Sequence, residues 1–74
     1  MSDKRIHLTI HAVRRALDND LDPGGMEKII REGQRVSEGR NKARYVLRTK
    51  RGLLIAICRE SQNQVVVITV TRRR

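Results

Sequence analysis

The chain has 74 residues, with 17 lysines and arginines against 8 aspartates and glutamates, and a formal net charge of +9. A single cysteine excludes an internal disulfide, the lack of a His/Cys cluster argues against a zinc framework, and one tyrosine without phenylalanine or tryptophan argues against an aromatic platform for stacking unpaired bases. The longest apolar runs, Leu53 to Cys58 and Val65 to Ile68, are too short to cross a bilayer, and no signal-peptide-like stretch opens the chain, so a cytoplasmic location without membrane contact is expected.

A short strand is expected at Arg5 to Leu8. Thr9 is placed to cap a helix from Ile10 to about Asn19, in which Ile10, Val13 and Leu17 recur at helical spacing and form the expected buried stripe. A second helix has stronger start signals: Asp22 as cap, Pro23 at the first helical position and Leu21 before the cap, able to staple onto Met26. Met26, Ile29 and Ile30 make its apolar stripe. Gly24 and Gly25 weaken its first turn, and Gly33 is expected to end it in a left-handed conformation.

From Gln34 onward the apolar period changes to two. Strands are expected at Gln34 to Glu38, Lys42 to Thr49, Leu53 to Glu60 and Val65 to Arg72, with Arg72 to Arg74 as a basic flexible tail. A three-residue turn Lys50-Arg51-Gly52 would pair Leu47 with Ile55 and Tyr45 with Ile57. A turn around Gln62-Asn63 would pair Ile57 with Ile68 and Ile55 with Val70, and a Gly39-Arg40 turn would pair Val36 with Ala43. These registers put Ala43, Tyr45, Leu47, Leu53, Ile55, Ile57, Val66, Ile68 and Val70 on one face. The expected architecture is one α+β domain over 1–74, two N-terminal helices packed on one face of an antiparallel sheet of four to five strands.

Charge is unevenly distributed. Residues 1–38 carry seven bases and seven acids, whereas residues 39–74 carry ten bases and only Glu60. Such an asymmetry points to a polyanionic partner, nucleic acid before membrane. The same registers set Arg35 opposite Arg44 and Ser37 opposite Lys42 on the uncovered face, which also receives Arg48, Lys50 and Cys58. Directly opposed like charges cost a sheet stability, and arginine forks suit phosphate oxygens. The plain alternative is a solvated outer face that simply uses basic residues. Interleaved Val46, Leu54, Ala56 and Val67 would make the face amphipathic, able to accept a base or a second copy.

His11 and Arg15 lie one helical turn apart. Their ordinary role is a solvated helix face; the functional one is a proton-transfer group beside a phosphate-holding cation. Cys58 reads as a space-filler and His7 as structural.

Thr9-Ile10-His11-Ala12-Val13-Arg14-Arg15, a second helix ending at Gly33 and a closing Val66-Val67-Ile68-Thr69-Val70 resemble domain-of-unknown-function family 4258 over almost the whole chain. That family is similar to the RelE and BrnT toxins, small basic ribonucleases whose RNA site lies on the open side of the sheet, where an antitoxin covers it. The resemblance marks His11, Ala12, Arg15 and Thr69; a second helical arginine usual in the family is Asn19 here, and the glycine pair replaces an acidic helix start.

One reading is a metal-independent endoribonuclease without cofactor, in which the resemblance supplies the location of the site and the registers supply the residues of the sheet. His11 would serve as acid or base, with Arg15, Arg44 and Arg48 completing the catalytic set, while Lys50 or Tyr45 could substitute for His11. Arg35, Lys42, Lys50, Arg51, Thr69, Thr71 and Arg72 would bind the nucleic acid, RNA or DNA. Two other readings fit the same residues: a non-catalytic nucleic-acid-binding module, and an interaction protein whose sheet edge pairs with a second copy as a homodimer or with an acidic antitoxin.

Overall fold

In the computed structural model, which describes residues 4–73, seven elements follow one another: β1 (Arg5–Leu8), α1 (Ile10–Asp18), α2 (Pro23–Glu32), β2 (Gln34–Gly39), β3 (Lys42–Thr49), β4 (Gly52–Glu60) and β5 (Gln64–Arg73). The strands form one sheet in the order β1-β5-β4-β3-β2. Neighbours are antiparallel except β1 and β5, so the sheet is mixed rather than purely antiparallel. The departure arises at β1, which lies parallel to the last strand after both helices and three strands have intervened.

Both helix caps form as their residues predict. Thr9 Oγ1 accepts from Ala12 N at 3.1 Å, and Asp22 Oδ1 accepts from Gly25 N at 2.7 Å. The Thr9 hydroxyl also donates to Val67 O at 2.8 Å, which ties the start of α1 to β5. With α1 held this close to the sheet, its buried residues are the small Ala12 and Ala16. Ile10 and Leu17, expected inside, are 74% and 56% exposed, and Val13 is only half-buried. α2 buries Met26 and Ile29 as expected, with Ile30 and Leu21 packed at the margin of the core. Gly33 ends α2 with φ −74°, not in the left-handed region. Close approach explains it: a Cβ there would clash with Ile29 O and lie 3.0 Å from Val46 O.

Two of the three expected hairpin registers differ from those observed, and the β4–β5 register holds from Glu60 to Cys58 but shifts by one residue beyond it. Between β3 and β4 the turn has two residues, Lys50 and Arg51, and Thr49 pairs with Gly52. The Thr49 hydroxyl closes this turn, accepting from Arg51 N at 3.2 Å and donating to Gly52 O at 2.8 Å, while Gly52 takes the φ of +117° that a side chain would resist. Leu47 therefore faces Leu54 and Tyr45 faces Ala56, and the two apolar sets of β4 exchange sides.

A bulge between Ile57 and Cys58 shifts the next pair. Cys58 faces Val67, whereas Ile57 faces Thr69 and Ala56 faces Val70, so Ile68 is the extra residue. A second bulge between Ser37 and Gly39 moves the β2–β3 turn to Arg40-Asn41, where Asn41 is left-handed at φ +58°. Arg35 then opposes Tyr45, and Val36 opposes Arg44.

The core joins Ala12, Ala16, Met26 and Ile29 of the helices to Ala43 and Tyr45 of β3, Leu54, Ala56 and Cys58 of β4, and Val65, Val67 and Val70 of β5. By register these sheet residues share one face, the helix-side face. Leu53, Ile55, Ile57 and Val66, expected there, lie on the opposite, open face, and Cys58 is fully buried rather than open to solvent. Arg72 and Arg73 continue β5 instead of forming a tail; Arg74 falls outside the described residues. Among the described residues no helix is long and apolar enough to cross a membrane.

Candidate nucleic-acid interface

Register places four rows of three or more strands on the open face, with the Arg5–Gln64 pair beside them at one end. The first runs Lys42, Arg59, Val66, His7; the second Val36, Arg44, Ile57, Thr69; the third Gln34, Val46, Ile55, Thr71; the fourth Arg48, Leu53, Arg73. The centre is aliphatic, with Ile55 buried by its neighbours and Val36, Val46 and Ile57 half-buried. Both ends are cationic. Lys42 faces Arg59 directly, an opposition of like charges that a sheet accepts at a cost.

At the other end Arg48, Thr49, Lys50, Gly52, Leu53 and Arg73 line a cleft of about 360 Å³. Three cations and no carboxylate converge there. From Lys42 to Arg48 is six residues of β3, about 20 Å, the length of some six stacked nucleotides at about 3.4 Å each.

Arg44 sits between these ends. Its Nε lies 3.6 Å from Glu38 Oε1, too far for a hydrogen bond, and this buried nitrogen has no hydrogen-bond partner among the described residues.

The one acid of residues 39–74 does not dilute this charge. Glu60 is 7% exposed on the helix-side face, where its Oε1 accepts from Arg35 Nε at 2.8 Å and Arg35 Nη2 at 2.6 Å, and its Oε2 accepts from the Tyr45 hydroxyl. The Arg35 guanidinium holds the Glu60 carboxyl below its usual pKa. Burial pushes the Tyr45 hydroxyl up to about 12, and burial with the Glu60 charge beside it pushes the Cys58 thiol up to about 12. Tyr45 is therefore a neutral buried donor and no substitute acid or base. Arg35 leaves the expected interface: the β2 bulge turns it to the helix side, where Glu60 occupies it.

Of the other residues expected in the site, Lys42, Arg44 and Arg48 do share the open face, and Lys50 and Arg51 form the turn at its end. His11 and Arg15 do not join them. α1 packs on the helix-side face through Ala12 and Ala16, so the sheet stands between the helix pair and Arg44 and Arg48. Arg15 instead lines a cleft of about 270 Å³ with Asn19, Thr69, Val70 and Thr71, at the side of β5. Arg72 reaches the same region, donating from Nη2 to Asn19 O at 3.0 Å.

Sequence reasoning missed His7, Arg59 and Arg73 as members of the open face. Arg59 was hidden by the one-residue register difference in β4, and Arg73 by its assignment to a tail. The alternation of Arg59 with Ile57 and Ile55 was the available signal. Among the described residues no group of His, Cys, Asp and Glu could hold a metal ion. Comparison with family models, with curated proteins and with solved structures finds no match.

Proposed function

We propose that the chain is a nucleic-acid-binding module that holds an RNA or DNA strand on the open face of its sheet. Phosphates contact Lys42 and Arg59 at one end and Arg48, Lys50 and Arg73 at the other, while sugars and base edges rest on Val46 and Ile57. The carrying observation is the cleft of Arg48, Lys50 and Arg73, where three cations meet without a carboxylate. One-signed charge of this kind suits phosphate, and surfaces built only for solvation mix signs. Arg44, ion-paired with Glu38 at 3.6 Å, lies midway and is not counted among the phosphate contacts.

Binding is favoured over cutting. Metal-independent cleavage at the 2′-hydroxyl needs a proton acceptor and donor beside the phosphate; the expected His11 lies on the far side of the sheet from Arg44 and Arg48, and His7, in the row of Lys42, Arg59 and Val66, has no carboxylate or second imidazole in that row. The test is incubation of the protein with a labelled 12-nucleotide RNA in EDTA, read by anisotropy and by gel. The expected result is a salt-sensitive complex with intact RNA. Salt-insensitive binding, or none, overturns the proposal; cleavage lost in Arg48→Gln but kept in His11→Ala would place an unrecognised nuclease site on the same face.

A further inference from the structure

We infer that the free edge of β5 accepts an extended acidic peptide as a sixth strand, with Arg15 holding one of its carboxylates. β1 pairs with β5 only from Gln64 to Val67, and Thr9 closes that stretch through its N–H and hydroxyl on Val67 O, at 3.4 and 2.8 Å. From Ile68 to Arg73 no strand lies on this side of β5. Alternate residues of this stretch, about 20 Å of backbone, thus present main-chain donors and acceptors along an open edge, the others being turned to β4. Natural edges are usually blunted by inward charges, proline or a cover. Here the run Ile68-Thr69-Val70-Thr71 is wholly β-branched and suited to pairing.

Beside this edge is the cleft of about 270 Å³ lined by Arg15, Asn19, Thr69, Val70 and Thr71. The Arg15 guanidinium has no ion-pair or hydrogen-bond partner among the described residues, whereas Arg72 is held on Asn19 O and fixes the far end. No carboxylate lines the cleft.

These features select the occupant. A nucleic-acid backbone offers phosphate acceptors to the edge N–H groups but leaves the alternating carbonyls unmatched; a peptide strand matches both. A second copy of this chain would bring its own Arg15, Arg72 and Arg73 against the same residues, like charge on like. A strand carrying Asp or Glu answers Arg15 in a charge-assisted pair. The edge borders the open face and shares Thr69 and Thr71 with it, but Arg15 lies on the helix side, so the Arg15 variants separate peptide binding from nucleic-acid binding.

The experiment uses the whole chain and an acetylated, amidated hexapeptide of alternating valine and glutamate, with the valine–lysine hexapeptide as control. Hydrogen exchange at the amides of Ile68 to Thr71 is followed by NMR. The glutamate peptide is expected to slow exchange there by about tenfold or more at about 1 mM, and the lysine peptide is not. Arg15→Glu and Arg15→Gln, both at an exposed helix position, are expected to weaken binding by about tenfold or more while RNA binding is unchanged. Absence of protection at Ile68 to Thr71 overturns the inference, as does equal protection by the lysine peptide. Protection by RNA alone would assign the edge to nucleic acid, and protection that rises with protein concentration without peptide would assign it to a second copy.

Discussion

Replacing Arg48 and Arg73 together with glutamine removes two of the three cations of the 360 Å³ cleft while leaving the core untouched, since both side chains lie on the open face. The five cations assigned to phosphate, Lys42, Arg48, Lys50, Arg59 and Arg73, have no ion pair among the described residues. Each phosphate neutralised on a single strand contributes about −0.7 to the slope of log K against log salt, so five contacts predict a slope of about −3.5. Raising salt from about 50 to about 200 mM should then weaken wild-type binding by about 130-fold. With three contacts left the slope falls to about −2.1 and the loss over the same range to about 18-fold. Anisotropy of a labelled 12-nucleotide strand, titrated at four or more salt concentrations, gives both slopes. An unchanged slope in the double variant would refute the assignment of phosphate contacts to this cleft, whatever happened to affinity at one salt concentration.

Other expectations concern the frame that holds the face. Glu60→Ala strands the buried Tyr45 hydroxyl and should cost about 2–3 kcal/mol, roughly 10–20 °C in Tm for a domain of this size, measured by thermal unfolding. Because Glu60 titrates below its usual range in the folded chain, its contribution is present above the unfolded carboxylate pKa near 4.5 and is lost as pH falls through the lower folded value; Glu60→Gln should flatten that acid limb of the stability profile. The opposite sign holds for Tyr45 and Cys58, whose folded values rise to about 12 from 10 and 9. Stability they support is full below pH 9 and fades as pH climbs toward 12, and Cys58 should resist thiol reagents at neutral pH until the chain unfolds. Gly33→Ala should cost about 1–3 kcal/mol by pressing a methyl on the Ile29 and Val46 carbonyls, whereas Ile10→Ser and Leu17→Ser should each stay within about 0.5 kcal/mol. Chemical denaturation of the three variants separates those outcomes.

The position of every element was legible in the sequence, because caps such as Thr9 and Asp22 and the change of apolar period mark boundaries locally. The registers were not. β4 carries Leu53, Ile55 and Ile57 on one side and Leu54, Ala56 and Cys58 on the other, so alternation of apolar and polar residues cannot tell which set is inside. β5 has the same ambiguity, and its bulge moves the buried set from Val65 and Val67 to Val70. What decides is the Thr49 hydroxyl closing a two-residue turn, a side-chain contact with little pattern behind it. In α1 the choice between an Ile10, Val13, Leu17 stripe and an Ala12, Ala16 stripe is settled by Thr9 binding Val67 from 58 residues away.

The candidate site inherits both outcomes. Lys42, Arg44 and Arg48 were legible because β3 keeps the same face in either register. Arg35 and Cys58 changed sides with their strands, and the separation of His11 and Arg15 from the basic face depends on which side α1 covers. A charge count could show that residues 39–74 hold one acid; only the fold shows that this acid is buried against Arg35 and Tyr45.

The open face as the binding surface is tested most directly by recording amide and side-chain NMR shifts of the labelled chain while a 12-nucleotide RNA is added. Shifts are expected at Lys42, Arg44, Arg48, Lys50, Ile55, Ile57, Arg59 and Arg73, with the outer sides of α1 and α2 silent. Shifts centred on His11, Arg14 and Lys28 of the helices, with Arg48 and Arg59 unmoved, would contradict it.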